Sequence, residues 1–176
     1  MNKQELIQLL NTLTLDDKIT MIHGASMFQT GAVTEKNVPA FTFDDGPMGP
    51  RKEYQRDAWI PIGGNDDATS YLPSNSALAA TFNRKRALES GTVLGREARG
   101  RGKDMILAPG INIHRSPLGG RNFEYMSEDP YLTAEIAVPF VEGIQQNDVS
   151  ACVKHYALYG ASESGRDYNT VDMSHV

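Results

Sequence analysis

The sequence predicts a parallel α/β fold, and three observations carry that expectation. Apolar runs and amphipathic segments alternate in the order strand, helix, strand, helix, strand. The strand-like runs are nearly continuously apolar, as expected of a sheet covered by helices on its faces. Polar or charged residues also follow each run: Asp44 and Asp45 the first, His114 through Glu124 the second, Lys154 and His155 the third. In parallel α/β architectures the C-terminal strand ends form one mouth, so those polar residues converge although they lie far apart in the chain.

Two short helices open the chain, over 3–11 and 14–22. Leu6, Leu9 and Leu10, then Ile19 and Ile22, are spaced to give each one buried face. Thr14 followed by Asp17 has the spacing of a capping box for the second helix. The run Val38–Phe43 (VPAFTF) reads as the first strand and stops at Asp44-Asp45-Gly46-Pro47. From Met48 to Ser76 nothing is periodic; the segment holds Trp59 and is too long for a plain connector. Asn83 caps a helix through about Gly100, with Ala87, Leu88, Leu94 and Ala98 on its inner face. Lys103–Pro109 (KDMILAP) is the second strand. A further helix runs from Pro130 to about Gln146, burying Ile136, Ala137, Phe140, Val141 and Ile144, with Asp129 as N-cap and Pro130 at the first helical position. Val149–Val153 is the third strand and leads into Lys154-His155; the ending, Tyr156–Val176, is polar and aperiodic.

Between the second strand and the last helix lies Ser116–Tyr131 (SPLGGRNFEYMSEDPY), which places a paired glycine turn, an arginine, three carboxylates and three aromatics in sixteen residues. Loops this dense in hydrogen-bonding groups bind polar ligands or brace themselves. Its rear, Glu128 and Asp129, suits helix capping and the helix dipole. Its front supplies ligand contacts, although Arg121 paired with Glu124 or Glu128 would equally brace the loop.

Composition bounds the function. The 176 residues are 40% hydrophobic with a formal net charge of -5, which suits a soluble domain and argues against nucleic acid as the main partner. No stretch approaches the roughly 18 consecutive apolar residues of a membrane span. The N-terminus lacks the apolar core of a signal peptide, so a cytoplasmic location is expected. Cys152 is alone, which forbids an internal disulfide. No cofactor motif is visible, and the four histidines at 23, 114, 155 and 175 lack metal-ligand spacing.

The set expected at the mouth is Asp45, Arg51, Arg121, Glu124, Lys154 and His155, with Arg166 as a further candidate. Carboxylates, guanidinium groups and an ammonium together can donate and accept, as a ring of sugar hydroxyls requires. Phosphate is the competing ligand because cations dominate; the absence of GxxxxGK[ST] and GxGxxG patterns, and Asp45 at the first strand end, speak against it. Lys154-His155, directly after a buried strand, must find partners or a ligand.

Several segments together resemble glycoside hydrolase family 3: Phe43–Arg51 (FDDGPMGPR), Tyr71-Leu72-Pro73, Leu78–Phe82 (LAATF), Leu94–Glu97 (LGRE), Leu107–Asn112 (LAPGIN), Arg115–Asp129 (RSPLGGRNFEYMSED) and Val153–Tyr156 (VKHY). The resemblance implies a (β/α)8-like (TIM-type) barrel followed by an α/β sandwich, and a retaining mechanism through a glycosyl-enzyme intermediate. By the same resemblance Asp45, Arg51, Arg121, Lys154 and His155 match positions that bind the non-reducing sugar. The ending Tyr156–Ser174 looks like the β-glucosidase branch. It lacks the KHFPGHG pattern of the family's N-acetylglucosaminidases, and Asp45-Gly46-Pro47 differs from the Glu-containing equivalent in its β-xylosidases.

The family's nucleophilic Asp, in a segment resembling Ser-Asp-Trp, and its general acid have no match here. The expectation is therefore the N-terminal portion of a barrel domain, about three βα units spanning 1–176, without catalytic carboxylates of its own. Its substrate would be a β-glucoside or oligosaccharide. A complementary chain or self-association would cover the open sheet edge. A non-catalytic sugar-binding or assembly module and a phosphosugar-binding protein are the alternatives. If the chain alone hydrolysed glycosides, Glu124, Glu163 and Asp167 would be the carboxylates to replace first.

Overall fold

The computed structural model describes residues 1–52, 68–117 and 119–156. Trp59, Glu163, Arg166 and Asp167 lie outside the described residues, as does the ending from 157 onward. The chain forms two units, the first built on Met1–Phe43 and the second on Asp44–Arg51 with the chain from Ala68.

In the first unit, α1 (Lys3–Thr12) and α2 (Leu15–Ile22) start on reciprocal capping boxes, Asn2 with Glu5 and Thr14 with Asp17. Each box satisfies orphan backbone N–H groups at a helix start. Lys36 ties the pair together, donating to the Thr12 carbonyl and to Asp17, 2.7 Å away. That ammonium, followed by the backbone and side chain of Thr14, holds the Asp17 carboxyl down at about 2. The apolar faces expected to be buried are not: Leu6, Leu10, Ile19 and Ile22 are exposed, and neither helix holds a buried residue. The buried apolar residues there are Leu13, Phe28 and Val33 instead. Helices this short carry one apolar stripe each, and here Leu6, Leu10 and Ile19 stay about half exposed on it.

The second unit contains the sheet. Its strands are β1 (Phe43–Asp45), β2 (Met105–Leu107) and β3 (Ser150–Ala151), in spatial order β1-β2-β3. The β2 and β3 strands run parallel, Met105 opposite Ser150 and Ile106 opposite Ala151. Each strand is shorter than its apolar run suggests. The first also begins later: Val38 and Thr42 make antiparallel bridges to Val33 and Gln29, and the two aspartates read as ending the strand belong to it.

Helices α3 (Asn75–Ala79), α4 (Arg84–Gly100) and α5 (Pro130–Gln145) complete the unit. Asn83 caps α4, accepting from Lys85 and Arg86 N–H, and Asp129 caps α5, accepting from Tyr131 N–H. Ala87, Leu94 and Ala98 of α4 meet Ile136, Phe140 and Ile144 of α5 over Ile106 and Ala108 in one core, with Leu78, Ala79, Met126 and Val149. Burying the larger of these side chains, Leu, Ile, Phe, Met and Val, contributes about 1.5–3 kcal/mol each. Gly91 sets how close α4 and α5 come: a Cβ there would lie 2.0 Å from the Phe140 carbonyl oxygen. Helix α3, unseen in the aperiodic stretch, starts on Ser74, whose side chain accepts from Ala77 N–H.

Candidate functional site

Strand β1 delivers the first side chains. Asp44 is fully buried, and its charge is answered by Arg51, whose Nε lies 3.3 Å from Asp44 Oδ1. The loop from Gly46 to Pro50 folds back so that Arg51 N–H donates to the Asp45 carbonyl at 2.9 Å. This return needs glycine: Gly46 has φ +124°, and a Cβ on it would meet the Gly49 carbonyl oxygen at 1.8 Å. Arg51 thus sits beside Asp45 in the chain path while its guanidinium serves Asp44.

From the carboxyl end of β2, the chain passes Ala108-Pro109, a cis peptide, and runs alongside the exit of β3. Lys154 N–H donates to the Pro109 carbonyl, and Ile111 N–H to the Lys154 carbonyl. Asn112 then clamps the next residue, accepting from His155 N–H at 2.7 Å and donating to the His155 carbonyl at 3.0 Å. Lys154-His155 is itself a cis peptide. The backbone that carries Lys154 and His155 is therefore fixed from the β2 side.

The loop 114–127 is braced from within and from below. Asn122 donates to the Ser116 carbonyl, and its own carbonyl is met by the His114 ring at 2.9 Å. From α3, Asn75 donates to the Glu124 carbonyl and Ser76 to the carbonyls of Asn122 and Tyr125. These bonds orient a single 3-10 turn, Asn122–Glu124, with Arg121 just ahead of it and Tyr125 just behind.

These supports bring five of the expected residues, Asp45, Arg121, Glu124, Lys154 and His155, into one network, while Arg51 pairs with Asp44. Lys154 Nζ lies 2.8 Å from Asp45 Oδ1 and 3.5 Å from Glu124 Oε2. Arg121 grips Glu124 with two donors, Nε to Oε1 at 2.5 Å and Nη2 to Oε2 at 3.2 Å. His155 joins at the edge, with Arg121 Nη2 3.3 Å from its Nε2 and the Tyr125 hydroxyl 2.6 Å from its Nδ1. The side chains of Lys154 and Glu124 are only 10% and 11% exposed. Two carboxylates and two cations cancel in formal charge, the condition for holding ions in a poorly solvated place. Burial, then the charges of Lys154 and Arg121, push the His155 pKa below its usual 6.5, against the weaker opposing pull of Glu124 and Asp45. The imidazole is neutral at physiological pH.

Tyr125, Asn112, Asn75 and Ser76 were not singled out by sequence reasoning. Tyr125 lies directly beside Glu124 and Asn112 closes the run LAPGIN, whereas Asn75 and Ser76 lie well upstream of the loop and carried no signal in the sequence. Asp129 is the helix cap its position announces. Arg166, Glu163 and Asp167 lie outside the described residues.

A parallel sheet with helices packed on it and polar groups gathered beyond its carboxyl ends is the plan of (β/α) barrels and their relatives. Comparison with known proteins specifies it. Residues 62–176 match the model described as "Glycosyl hydrolase family 3 N terminal domain". Beta-glucosidase BoGH3A of Bacteroides ovatus is 43% identical over 149 residues, 85% of this chain and 20% of that protein. Thermostable beta-glucosidase B of Acetivibrio thermocellus is 37% identical over 87% of this chain and 20% of that protein. Among solved structures, beta-glucosidase 3B from Thermotoga neapolitana, in complex with alpha-D-glucose, superposes with a TM-score of 0.77 at 37% identity, over 86% of this chain and 23% of that one. The chain belongs to glycosyl hydrolase family 3, and its three parallel strands with their helices are a partial (β/α)8 barrel. It spans about a fifth of the length of the curated relatives it matches.

Proposed function

We propose that this chain is the N-terminal portion of the barrel domain of a retaining β-glucosidase, and that its network holds the terminal, non-reducing glucosyl ring. Asp45, Arg121, Lys154 and His155 form that subsite, with Arg51 beside Asp45 in the chain and engaged with Asp44. The observation that carries the reading is the neutral cluster of Asp45, Lys154, Glu124 and Arg121 joined to His155. Its charges cancel, so it suits a neutral polyol better than a phosphate, whose extra anions would be unopposed. It offers donors on Lys154 and Arg121 and acceptors on Asp45 and Glu124, the mixture that sugar hydroxyls need. The names of the relatives support the substrate class.

Hydrolysis with retention needs a carboxylate to attack the anomeric carbon and a carboxylic acid to protonate the leaving oxygen. Asp45 and Glu124 are engaged with cations and so are committed to binding. The reacting pair comes from the remainder of the complete enzyme. What this chain contributes is orientation, with hydroxyl contacts that tighten as positive charge develops on the ring.

The test is hydrolysis of aryl β-glycosides by the complete enzyme and by this chain alone. The β-glucoside should be the preferred substrate of the complete enzyme, with no turnover by the chain alone. Preference for a phosphorylated sugar, or for another configuration, would overturn the reading.

A further inference from the structure

The hydrogen-bond chemistry around His155 goes beyond the subsite, although the ligand step below rests on the sugar-binding reading. A guanidinium has donors and no lone pair to offer. The contact between Arg121 Nη2 and His155 Nε2, at 3.3 Å, therefore requires Nε2 to be the acceptor. A neutral imidazole with a bare Nε2 carries its hydrogen on Nδ1. That hydrogen has a partner in place: the hydroxyl oxygen of Tyr125, 2.6 Å away. Tyr125 is 4% exposed, its N–H donates to the Asn122 carbonyl of the 3-10 turn and its carbonyl accepts from the Ser76 hydroxyl of α3, so the acceptor is held in place. His114 packs edge-on against the Tyr125 ring, with centroids 6.5 Å apart.

We infer that Tyr125 is a positioning residue that fixes His155 as the Nδ1–H tautomer, so that Arg121 Nη2 and His155 Nε2 form a paired donor and acceptor which one sugar hydroxyl completes. Such a hydroxyl replaces the direct contact between the two groups: its oxygen accepts from Arg121 and its hydrogen goes to Nε2, whose one lone pair Arg121 then gives up. The pair discriminates chemically. A hydroxyl satisfies both groups; an ether oxygen or a fluorine accepts from Arg121 but leaves Nε2 unmet; a carboxylate or phosphate oxygen is repelled by the Nε2 lone pair. With the opposite tautomer two donors would face each other and the same position would favour an anion. The charged groups facing the ring are Arg121, Lys154, Glu124 and Asp45.

Nitrogen-15 spectra of the histidine ring in this chain test the tautomer without any catalysis. The wild type should show a protonated Nδ1 and a bare Nε2 for His155. Tyr125→Phe removes one oxygen from a packed ring, and the protonated Nδ1 signature should give way to a mixture of tautomers. A protonated Nε2 in the wild type would overturn the inference without any variant, and so would an unchanged spectrum in Tyr125→Phe. Inhibition of the complete enzyme by glucose and its monodeoxy and monodeoxyfluoro analogues then tests the ligand step. At one ring position the fluoro analogue should bind as poorly as the deoxy analogue, about tenfold or more below glucose, and this penalty should shrink in Tyr125→Phe. Equal binding of fluoro analogue and glucose at every position would refute the bridging hydroxyl. Failure of the wild-type enzyme to bind glucose at all would overturn the functional reading instead, with the nitrogen spectra still deciding the role of Tyr125.

Discussion

Replacing Glu124 by Gln keeps the shape of the side chain and removes the charge that holds two cations. In the parent, Glu124 Oε1 and Oε2 take two hydrogen bonds from Arg121, and Oε2 lies 3.5 Å from Lys154 Nζ. At an effective dielectric of about 20, each unit-charge contact at 3–3.5 Å is worth roughly 5 kcal/mol of attraction. Desolvation offsets most of that in the intact pair, so the quantity that matters is the uncompensated charge left behind. The neutral amide of Glu124→Gln would leave Arg121 and Lys154 opposed by Asp45 alone, a local charge of +1 in place of zero. Breaking a buried pair in this way costs about 3–5 kcal/mol. Arg121 is 28% exposed and gains some water, which places the expected loss near the lower end. Urea unfolding of wild type and Glu124→Gln at pH 7, compared at constant m-value, measures it. A loss below about 0.5 kcal/mol, the size of an ordinary surface change, would refute the account of Glu124 as the counter-ion of both cations. The same variant would keep measurable glycosidase activity in the complete enzyme if Glu124 positions cations, and would lose it entirely if Glu124 were a reacting carboxylate.

Gly91→Ala places a Cβ 2.0 Å from the Phe140 carbonyl oxygen; forcing α4 and α5 apart should cost about 1–3 kcal/mol, read by thermal unfolding, and an unchanged melting temperature would contradict the packing. His155 is held below its usual 6.5, so the unfolded chain binds the proton more readily; stability from this residue is complete above about pH 6.5 and is lost as pH falls through the lowered value. Wild type should therefore lose more stability between pH 7 and pH 5 than His155→Gln, and equal losses would remove the effect. Asp17, held at about 2 mainly by Lys36, contributes stability above 3.8 that disappears as pH falls toward 2; in Lys36→Met the Asp17 carboxyl should titrate nearer 3.8 by carbon-13 NMR, and an unmoved titration would show that Thr14 alone is responsible.

Helices α1, α2, α4 and α5 were legible because caps and periodicity are local, while the five-residue α3 is too short to show a period. Asn83, Thr14 with Asp17, and Asp129-Pro130 each mark a helix start where the structure has one. Strand lengths were not legible, since an apolar run does not say where its pairing partner ends. Val38–Thr42 is apolar enough for the sheet, yet it pairs with residues 29 and 33 instead. Nor does spacing reveal whether a stripe is covered, and Leu6, Leu10, Ile19 and Ile22 are exposed. At the site, the strand-end rule brought together Asp45, Lys154, His155 and Arg121, with Lys154 and Asp45 in contact across 109 residues of chain. It could not separate Asp44 from Asp45. Alternation along β1 turns the first into the sheet, where Arg51 answers it, and leaves the second to Lys154. The side chains that orient the site, Asn75, Ser76, Asn112 and Tyr125, act through backbone carbonyls and one ring nitrogen, contacts that only the folded path creates.

A structure of the complete enzyme with glucose bound would address the central claim most directly. The account predicts the ring over the carboxyl ends of β1, β2 and β3, with hydroxyl oxygens within hydrogen-bond distance of Asp45, Lys154 Nζ, Arg121 and His155 Nε2. Glucose bound elsewhere, with the Asp45–Lys154–Glu124–Arg121 network intact and untouched, would contradict it.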